Sequence, residues 1–251
     1  MHSTIVRVQN VFGFFTTVAF CVAGVIALSV FIHPQSPSAS IKLRNVQVVK
    51  GRPHYYSYKK EEYANIKFDL DTDLSTLFNW NTKQVFLYLK AVYPSTSASN
   101  PASEAIIWDA ILPGAQAPWH QNHYIHPSPK NKSKPKTKKG VKPPPIYPVG
   151  QIHLQNQRPK YQITDISGKL QNRTDVVLEL GWNVQPWVGA LVWANKGDWG
   201  MWKGVKGGVS RKFSLPEIGG KAKKEDVATE KGKEGHRLEV GGEHPVGKKG
   251  F

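Results

Sequence analysis

The chain has 251 residues, the size of one domain or of one domain with appendages. With 39% hydrophobic residues and a mean hydropathy of −0.42 it can bury a core while parts stay strongly polar, and its 22 glycines and 18 prolines argue against a helix bundle without implying wholesale disorder. The formal charge is +16, and the single cysteine, Cys21, excludes an intramolecular disulfide and a cysteine-based zinc site.

The first element is the run Val11 to Ile32, 22 residues without a charge, preceded by Arg7 and followed by the breaker-rich His33-Pro34-Gln35-Ser36-Pro37. As a helix it reaches roughly 33 Å, against a hydrocarbon core of about 30 Å. Thirteen of its residues are Val, Ile, Leu or Phe. Each favours insertion by about 0.3–0.6 kcal/mol near the membrane centre, about 5 kcal/mol together. A cleaved signal peptide usually has a shorter apolar region ending at a small-x-small site; Ala27-Leu28-Ser29 fits that pattern only weakly. The run is therefore read as an uncleaved anchor. Arg7 and the α-amino group hold residues 1–10 in the cytosol, and the long remainder translocates. A cysteine-free lumenal part suits an oxidising compartment, with Cys21 packed inside the span.

Beyond the anchor, period-two alternation predicts strands. Ile66, Phe68 and Leu70 alternate with Asn65, Lys67 and Asp69. Val85, Leu87, Leu89 and Ala91 share one face of the next run, with Phe86, Tyr88 and Val92 on the other, which predicts a central strand. Val176, Leu178, Leu180 and Trp182 line one face of a third; Val209, Phe213 and Leu215 predict a last strand broken by Arg211 and Lys212. Weaker candidates are Ile41–Val49, Ala105–Ile111, Gln162–Ile166 and Val188–Trp193, and Asp73 is placed to cap a short helical turn over Asp73–Phe78. Seven or eight strands separated by turn residues predict a mainly β chain, a β-sandwich over 33–218 on one amino-terminal transmembrane helix.

Two segments stand apart. From Pro127 to Pro145 the chain carries seven lysines, six prolines counting both ends, and no acid, which predicts a disordered surface insert. Residues 219–251 hold eight basic and six acidic residues with many glycines and no apolar pattern, a disordered tail. Insert and tail carry +7 and +2 of the +16, so much of the net charge belongs to these segments rather than to a binding face. Taken alone, the insert could neutralise nucleic-acid phosphates. Lumenal placement removes that partner and favours a solvated loop, or one touching anionic lipid heads or an acidic neighbour.

His120, His123 and His126 recur every three residues but lack an acid in their segment to orient a ring, so no metal is expected there. No nucleophile elbow, zinc-protease helix, Walker A or dinucleotide fingerprint occurs. No catalytic residue, cofactor or metal site is therefore assigned. Five tryptophans fall within 21 residues, Trp182, Trp187, Trp193, Trp199 and Trp202. Such a cluster can serve a bilayer, a protein or a glycan. Trp182 reads as core by strand parity, whereas Trp199 and Trp202 sit in a glycine-rich loop. A membrane-anchored lumenal enzyme, or a glycan- or peptide-binding module using Trp182–Trp202, is the rival reading. Sequons stand at Asn131-Lys132-Ser133 and Asn172-Arg173-Thr174; lumenal placement makes Asn172, just before a strand, the better acceptor.

The stretches Phe68-Asp69-Leu70-Asp71-Thr72-Asp73-Leu74 and Leu77-Phe78-Asn79-Trp80-Asn81-Thr82-Lys83-Gln84-Val85-Phe86-Leu87-Tyr88-Leu89 resemble the hallmark region of the signal peptidase complex subunit 3 family. Ile107-Trp108-Asp109 and Leu180-Gly181-Trp182-Asn183-Val184-Gln185-Pro186 resemble two further blocks, and the resemblance covers roughly residues 1–115 and 147–216. It implies a type II endoplasmic-reticulum membrane protein whose lumenal β-sandwich braces the catalytic subunit beside other accessory subunits. The serine nucleophile would lie in that catalytic partner, and neither nucleic acid nor a small-molecule cofactor is involved. Phe78, Asn79, Trp80, Asn81, Trp108 and Trp182 become the structural or interface positions, and Asn172 the glycan acceptor. The insert and tail have no counterpart in the family pattern, and the family's sequon lies nearer the strand, about where Asp175 stands.

Overall fold

The computed structural model describes residues 3–52, 55–95, 100–114, 149–194 and 197–220. The lysine-rich insert, His120, His123, His126, Asn131 and the tail beyond Gly220 lie outside them.

Helix α1 spans Thr4–Ser29 and tightens into a 3-10 turn over Val30–Ile32. It starts seven residues before the uncharged run because Ser3 caps it, accepting from the Val6 amide at 3.4 Å, and no breaker follows before Val11. Its hydroxyls are satisfied within the helix: Thr16 and Thr17 donate to the Gly13 carbonyl at 2.8 and 2.9 Å, and Ser29 to that of Ile26 at 2.7 Å. Unpartnered hydroxyls would be costly in hydrocarbon. No residue of α1 is buried, although Phe12, Phe14, Phe15 and Phe20 all point outward. An apolar helix left this bare is no core helix; it needs an apolar medium around it.

Among the described residues seven strands follow: β1 (Ser38–Gly51), β2 (Glu61–Asp73), β3 (Thr82–Tyr93), β4 (Ser103–Pro113), β5 (Gln151–Gln157), β6 (Val177–Pro186) and β7 (Val192–Trp193). They form two antiparallel sheets, β1-β2-β5 and β4-β3-β6-β7. The inner faces close on one another as a sandwich. From one side come Ile66, Phe68 and Leu70; from the other Val85, Leu87, Leu89, Trp108 and Leu178, all fully buried. The rings of Phe68 and Trp108 meet edge to face with centroids 6.1 Å apart. β3 is central, as its two apolar faces predict.

Several expectations need correction. Segment 208–215 is not a strand: Val209 is exposed, and the segment meets β6 and Val176 before it through the isolated bridges Val176↔Phe213 and Glu179↔Val209, with Ser210 donating its amide to the Leu178 carbonyl at 2.9 Å and accepting from the Leu178 amide through its hydroxyl at 2.9 Å. Gln162–Ile166 makes one bridge, Ile163 to Ala64, while Ile166 is fully exposed. Only Val192–Trp193 of Val188–Trp193 pairs as a strand. The helical turn is a single 3-10 turn, Ser75–Leu77, with Leu74 at the capping position. Asp73 holds it from one residue further out, accepting from the Ser75 amide at 3.1 Å and hydroxyl at 2.7 Å. β5 escaped the sequence reading because it offers only Ile152 and Leu154 to the core. Asp69, polar by alternation, is buried where both neighbouring registers slip. It accepts from Arg44 Nε at 2.5 Å and the Asn156 amide at 2.7 Å. The described residues run to Gly220, whose amide donates to the Glu217 carbonyl.

Candidate functional site

The Leu77–Leu89 stretch divides into core and surface. Leu77 is buried and Phe78 packs half-buried against the core. The turn between them and β3 is knotted by Thr82, whose hydroxyl donates to the Leu77 carbonyl at 2.9 Å and accepts from the Asn79 amide at 3.1 Å. Asn79 Oδ1 in turn accepts from the Asn81 amide at 2.9 Å. This tight turn leaves Trp80 at its tip, 51% exposed. Asn81 is buried and reaches across to the loop after β6: its Nδ2 donates to the Val188 carbonyl at 2.7 Å, and its Oδ1 accepts from the Val188 amide at 3.1 Å. Trp187 donates its amide to the Asn81 carbonyl at 2.8 Å. Asn81 is thus a clasp, whereas Trp80 is presented. Trp108 and Trp182 are core residues, 0% and 3% exposed.

The clasped loop leans on the helix. Gly189, at φ +125°, lies so close to α1 that a Cβ there would stand 3.3 Å from that of Ala27. Beyond the loop, Trp202 is buried, stacked on Phe31 at 5.1 Å between centroids, and its Nε1 donates to the His33 carbonyl at 3.2 Å. Trp199 meets the edges of both rings, at 6.2 Å from Phe31 and 6.0 Å from Trp202. The five clustered tryptophans therefore do not make one binding platform. Trp182 and Trp202 are packed inside, while Trp187, Trp193 and Trp199 are exposed, Trp193 on the Phe86 face of the sheet through its cross-strand partner Asn183.

A second surface is the outer face of the four-stranded sheet. Phe86 and Tyr88 stack at 5.8 Å and remain half-buried, with Tyr88 lying over Gly181, its cross-strand partner; a Cβ on Gly181 would strike the ring at 2.4 Å. Lys90 closes the patch, paired with Glu104 at 2.9 Å and Glu179 at 3.2 Å. Burial opposes its charge, but the hydrogen bonds and charges of Glu104 and Glu179 outweigh that and raise its ammonium above the usual lysine range. An aromatic patch on a central strand, covered by no strand or helix among the described residues, is suited to another protein.

The sequon lies at the opposite end of β6. Asn172 is exposed in the left-handed region at φ +57°, which asparagine tolerates. The next residue, Arg173, anchors the turn: it donates to Asp165 Oδ2 at 2.7 Å, the Lys169 carbonyl at 3.0 Å and the Pro94 carbonyl at 2.8 Å, and lies over the Tyr93 ring at 5.2 Å. Partial burial works against ionisation of Asp165, but hydrogen bonds from the Ser167 hydroxyl and amide, with the Arg173 charge, hold its carboxyl below the usual range. The Tyr93 hydroxyl is pushed up by burial and by that same carboxylate.

Among the described residues no group of three or more His, Cys, Asp or Glu is arranged to hold a metal ion. The chain matches the family model described as signal peptidase subunit over residues 1–126 and 149–201. The match spans the helix and both sheets and omits the whole of the lysine-rich insert. It resembles signal peptidase complex subunit 3 of Yarrowia lipolytica, 30% identical over 78% of this chain and 92% of the relative. It also resembles the same subunit of Debaryomyces hansenii, 28% identical over 76% and 88%, and of Saccharomyces cerevisiae, 40% identical over 54% and 55%. A helix too apolar for water, a sandwich of two antiparallel sheets and a match that covers both place this chain in the signal peptidase subunit family.

Proposed function

We propose that this protein is a non-catalytic accessory subunit of the endoplasmic-reticulum signal peptidase, which braces the serine-bearing catalytic subunit during removal of signal peptides. The observation that carries this reading is the extent of the family match, across both the membrane helix and the sandwich. The surfaces agree with it: two aromatic faces, one beside Trp80 and one over Phe86 and Tyr88, suit contacts with other subunits. Phe78, Asn79, Asn81, Trp108 and Trp182 serve by holding those faces in place. α1 crosses the membrane with its amino terminus in the cytosol, and the β domain lies in the lumen as a type II topology requires.

Mild-detergent affinity purification of the tagged chain, assayed on a preprotein, tests the proposal. Peptidase activity accompanied by a second, serine-bearing subunit supports it. An inert chain recovered alone would overturn the assignment, and activity from the chain alone would make it an enzyme. Topology is read separately. With Asn172 glycosylated in the lumen, endoglycosidase treatment shifts the wild type but not Asn172→Gln.

A further inference from the structure

The surface around the end of α1 carries apolar side chains that stay partly exposed among the described residues. Trp187, Leu191, Trp199 and Met201 are all 40–64% exposed, although Trp182 and Trp202 are buried. The geometry ties this rim to the helix. Gly189 touches Ala27, Ala190 and Val192 line a small cavity with Ala27, Leu28 and Phe31, and Trp199 meets Phe31 at 6.2 Å.

Depth follows from counting along α1. A hydrocarbon core of about 30 Å corresponds to roughly 20 helical residues. Measured from Arg7, the charge nearest the amino end of the apolar stretch, it ends near Ala27; measured from Val11, near Phe31. In either register the loop against Ala27 stands at or below the far membrane boundary, and the exposed rim stands with it. Tryptophan is the side chain best matched to that boundary, with an apolar ring and one polar N–H. The ionisable groups alongside suit it too. Lys83 lies over the Trp187 ring at 5.5 Å, and Asp198 is paired with Lys203 at 3.3 Å.

We propose that Trp187, Leu191, Trp199 and Met201 form a collar that enters the headgroup–acyl boundary around the lumenal end of α1 and seats the β domain on the bilayer. The collar rests on the membrane-crossing reading of α1 given above. Its occupant is lipid rather than a second protein because the rim is continuous with the helix surface that the membrane already covers.

The test uses the full chain in phosphatidylcholine vesicles containing lipid brominated near the carbonyl end of the acyl chain, which quenches tryptophan on contact. Wild type is compared with a variant carrying Trp187→Phe and Trp199→Phe, conservative changes at exposed sites that leave the core intact. Alkaline carbonate extraction is run in parallel. The collar predicts that both proteins resist extraction and that the quenchable part of the emission falls severalfold in the variant. Equal quenching in the two, with extraction resisted, overturns the collar and leaves the anchor standing. Release by carbonate removes the anchor and the collar together. Quenching that disappears once the chain is assembled with its partner subunits assigns the rim to a protein contact and likewise refutes the collar.

Discussion

Replacing Asn81 by alanine isolates the clasp between the β3 turn and the loop after β6. The substitution deletes two hydrogen bonds, Nδ2 to the Val188 carbonyl at 2.7 Å and the Val188 amide to Oδ1 at 3.1 Å, and keeps the backbone bond from Trp187 to the Asn81 carbonyl. Each lost bond costs about 1 kcal/mol net, and stranding a buried partner raises that toward 3 kcal/mol. Asn81 is 1% exposed but Val188 only half-buried, so water recovers part of the loss. The expected destabilisation is about 2–3 kcal/mol, or about 5–10 °C in thermal midpoint for a domain of this size. Asn81→Asp sharpens the test. It keeps the shape and the acceptor but sets a carboxylate against the Val188 carbonyl, so at pH 7 it should cost more than alanine. Burial, and the Val188 carbonyl facing the second oxygen, raise that carboxyl, and a protonated acid can again donate to Val188. The penalty should therefore shrink as pH falls toward the acid range. Thermal unfolding of the detergent-solubilised chain, followed by tryptophan emission, measures both. A midpoint for Asn81→Ala within about 1 °C of wild type would falsify the clasp, as would an Asn81→Asp protein equal to wild type at pH 7.

Three further outcomes are expected. Trp80→Ala should leave the fold largely intact, because the side chain is half exposed, yet weaken assembly by tens of fold if Trp80 is an anchor in a partner's pocket, a change of about 2 kcal/mol; co-purification yield measures it, and normal assembly with normal processing would count against that role. Deletion of residues 127–145 should spare both folding and assembly, since the segment has no apolar pattern and falls outside the family match; a collapse in protein level would contradict this. Arg173→Met should cost about 2–4 kcal/mol at pH 7, because it strands Asp165 with side chains only 12% and 11% exposed. The Asp165 carboxyl is held low in the folded state, so its contribution is present above the unfolded value of about 3.9 and is lost as pH falls through the folded value. The variant should accordingly show a shallower acid limb below about pH 4 in a stability-against-pH series, and an unchanged limb would refute the assignment.

Where each strand had several apolar residues on one face, the sequence was legible: β2, β3 and β6 follow from Ile66-x-Phe68-x-Leu70 and its equivalents, and the two apolar faces of β3 located it at the centre. β5 was not legible, because two apolar residues among glutamines carry too little periodicity and its pairing with β2 is a long-range event. Segment 208–215 misled in the opposite direction. Phe213 and Leu215 are buried as in a strand, but the Ser210 hydroxyl takes the Leu178 amide in place of a backbone carbonyl, and Val209 faces water. The family stretch around Trp80 was recognisable as residues but not as geometry. Nothing in Asn79-Trp80-Asn81 says which asparagine turns inward, since that depends on Val188, 107 positions away. The split of the tryptophan cluster into buried and exposed members likewise depends on Phe31, whose ring Trp202 covers.

The placement of these features along β6 gives the domain a direction. Its ten residues cover about 33 Å, from the sequon turn at Asn172–Thr174 to the loop that touches Ala27. At one end Arg173 lies over Tyr93, the last residue of β3; at the other, Asn81, just before the first residue of β3, clasps Val188. The linker from the helix is no loose tether. Gln35 donates its amide to the Met201 carbonyl and accepts from the Lys203 amide, Ser36 donates to Thr76 Oγ1, and Lys206 donates to the Pro37 carbonyl. α1 and the sandwich are consequently joined at a laced corner rather than a hinge. That corner carries the bearing of the helix into β3 and β6; with α1 crossing the membrane as proposed, the aromatic patch of Phe86 and Tyr88 is offered at a set height above it, between the rim around α1 and the sequon at the far end. A partner that must meet both the membrane and this patch finds them already in register.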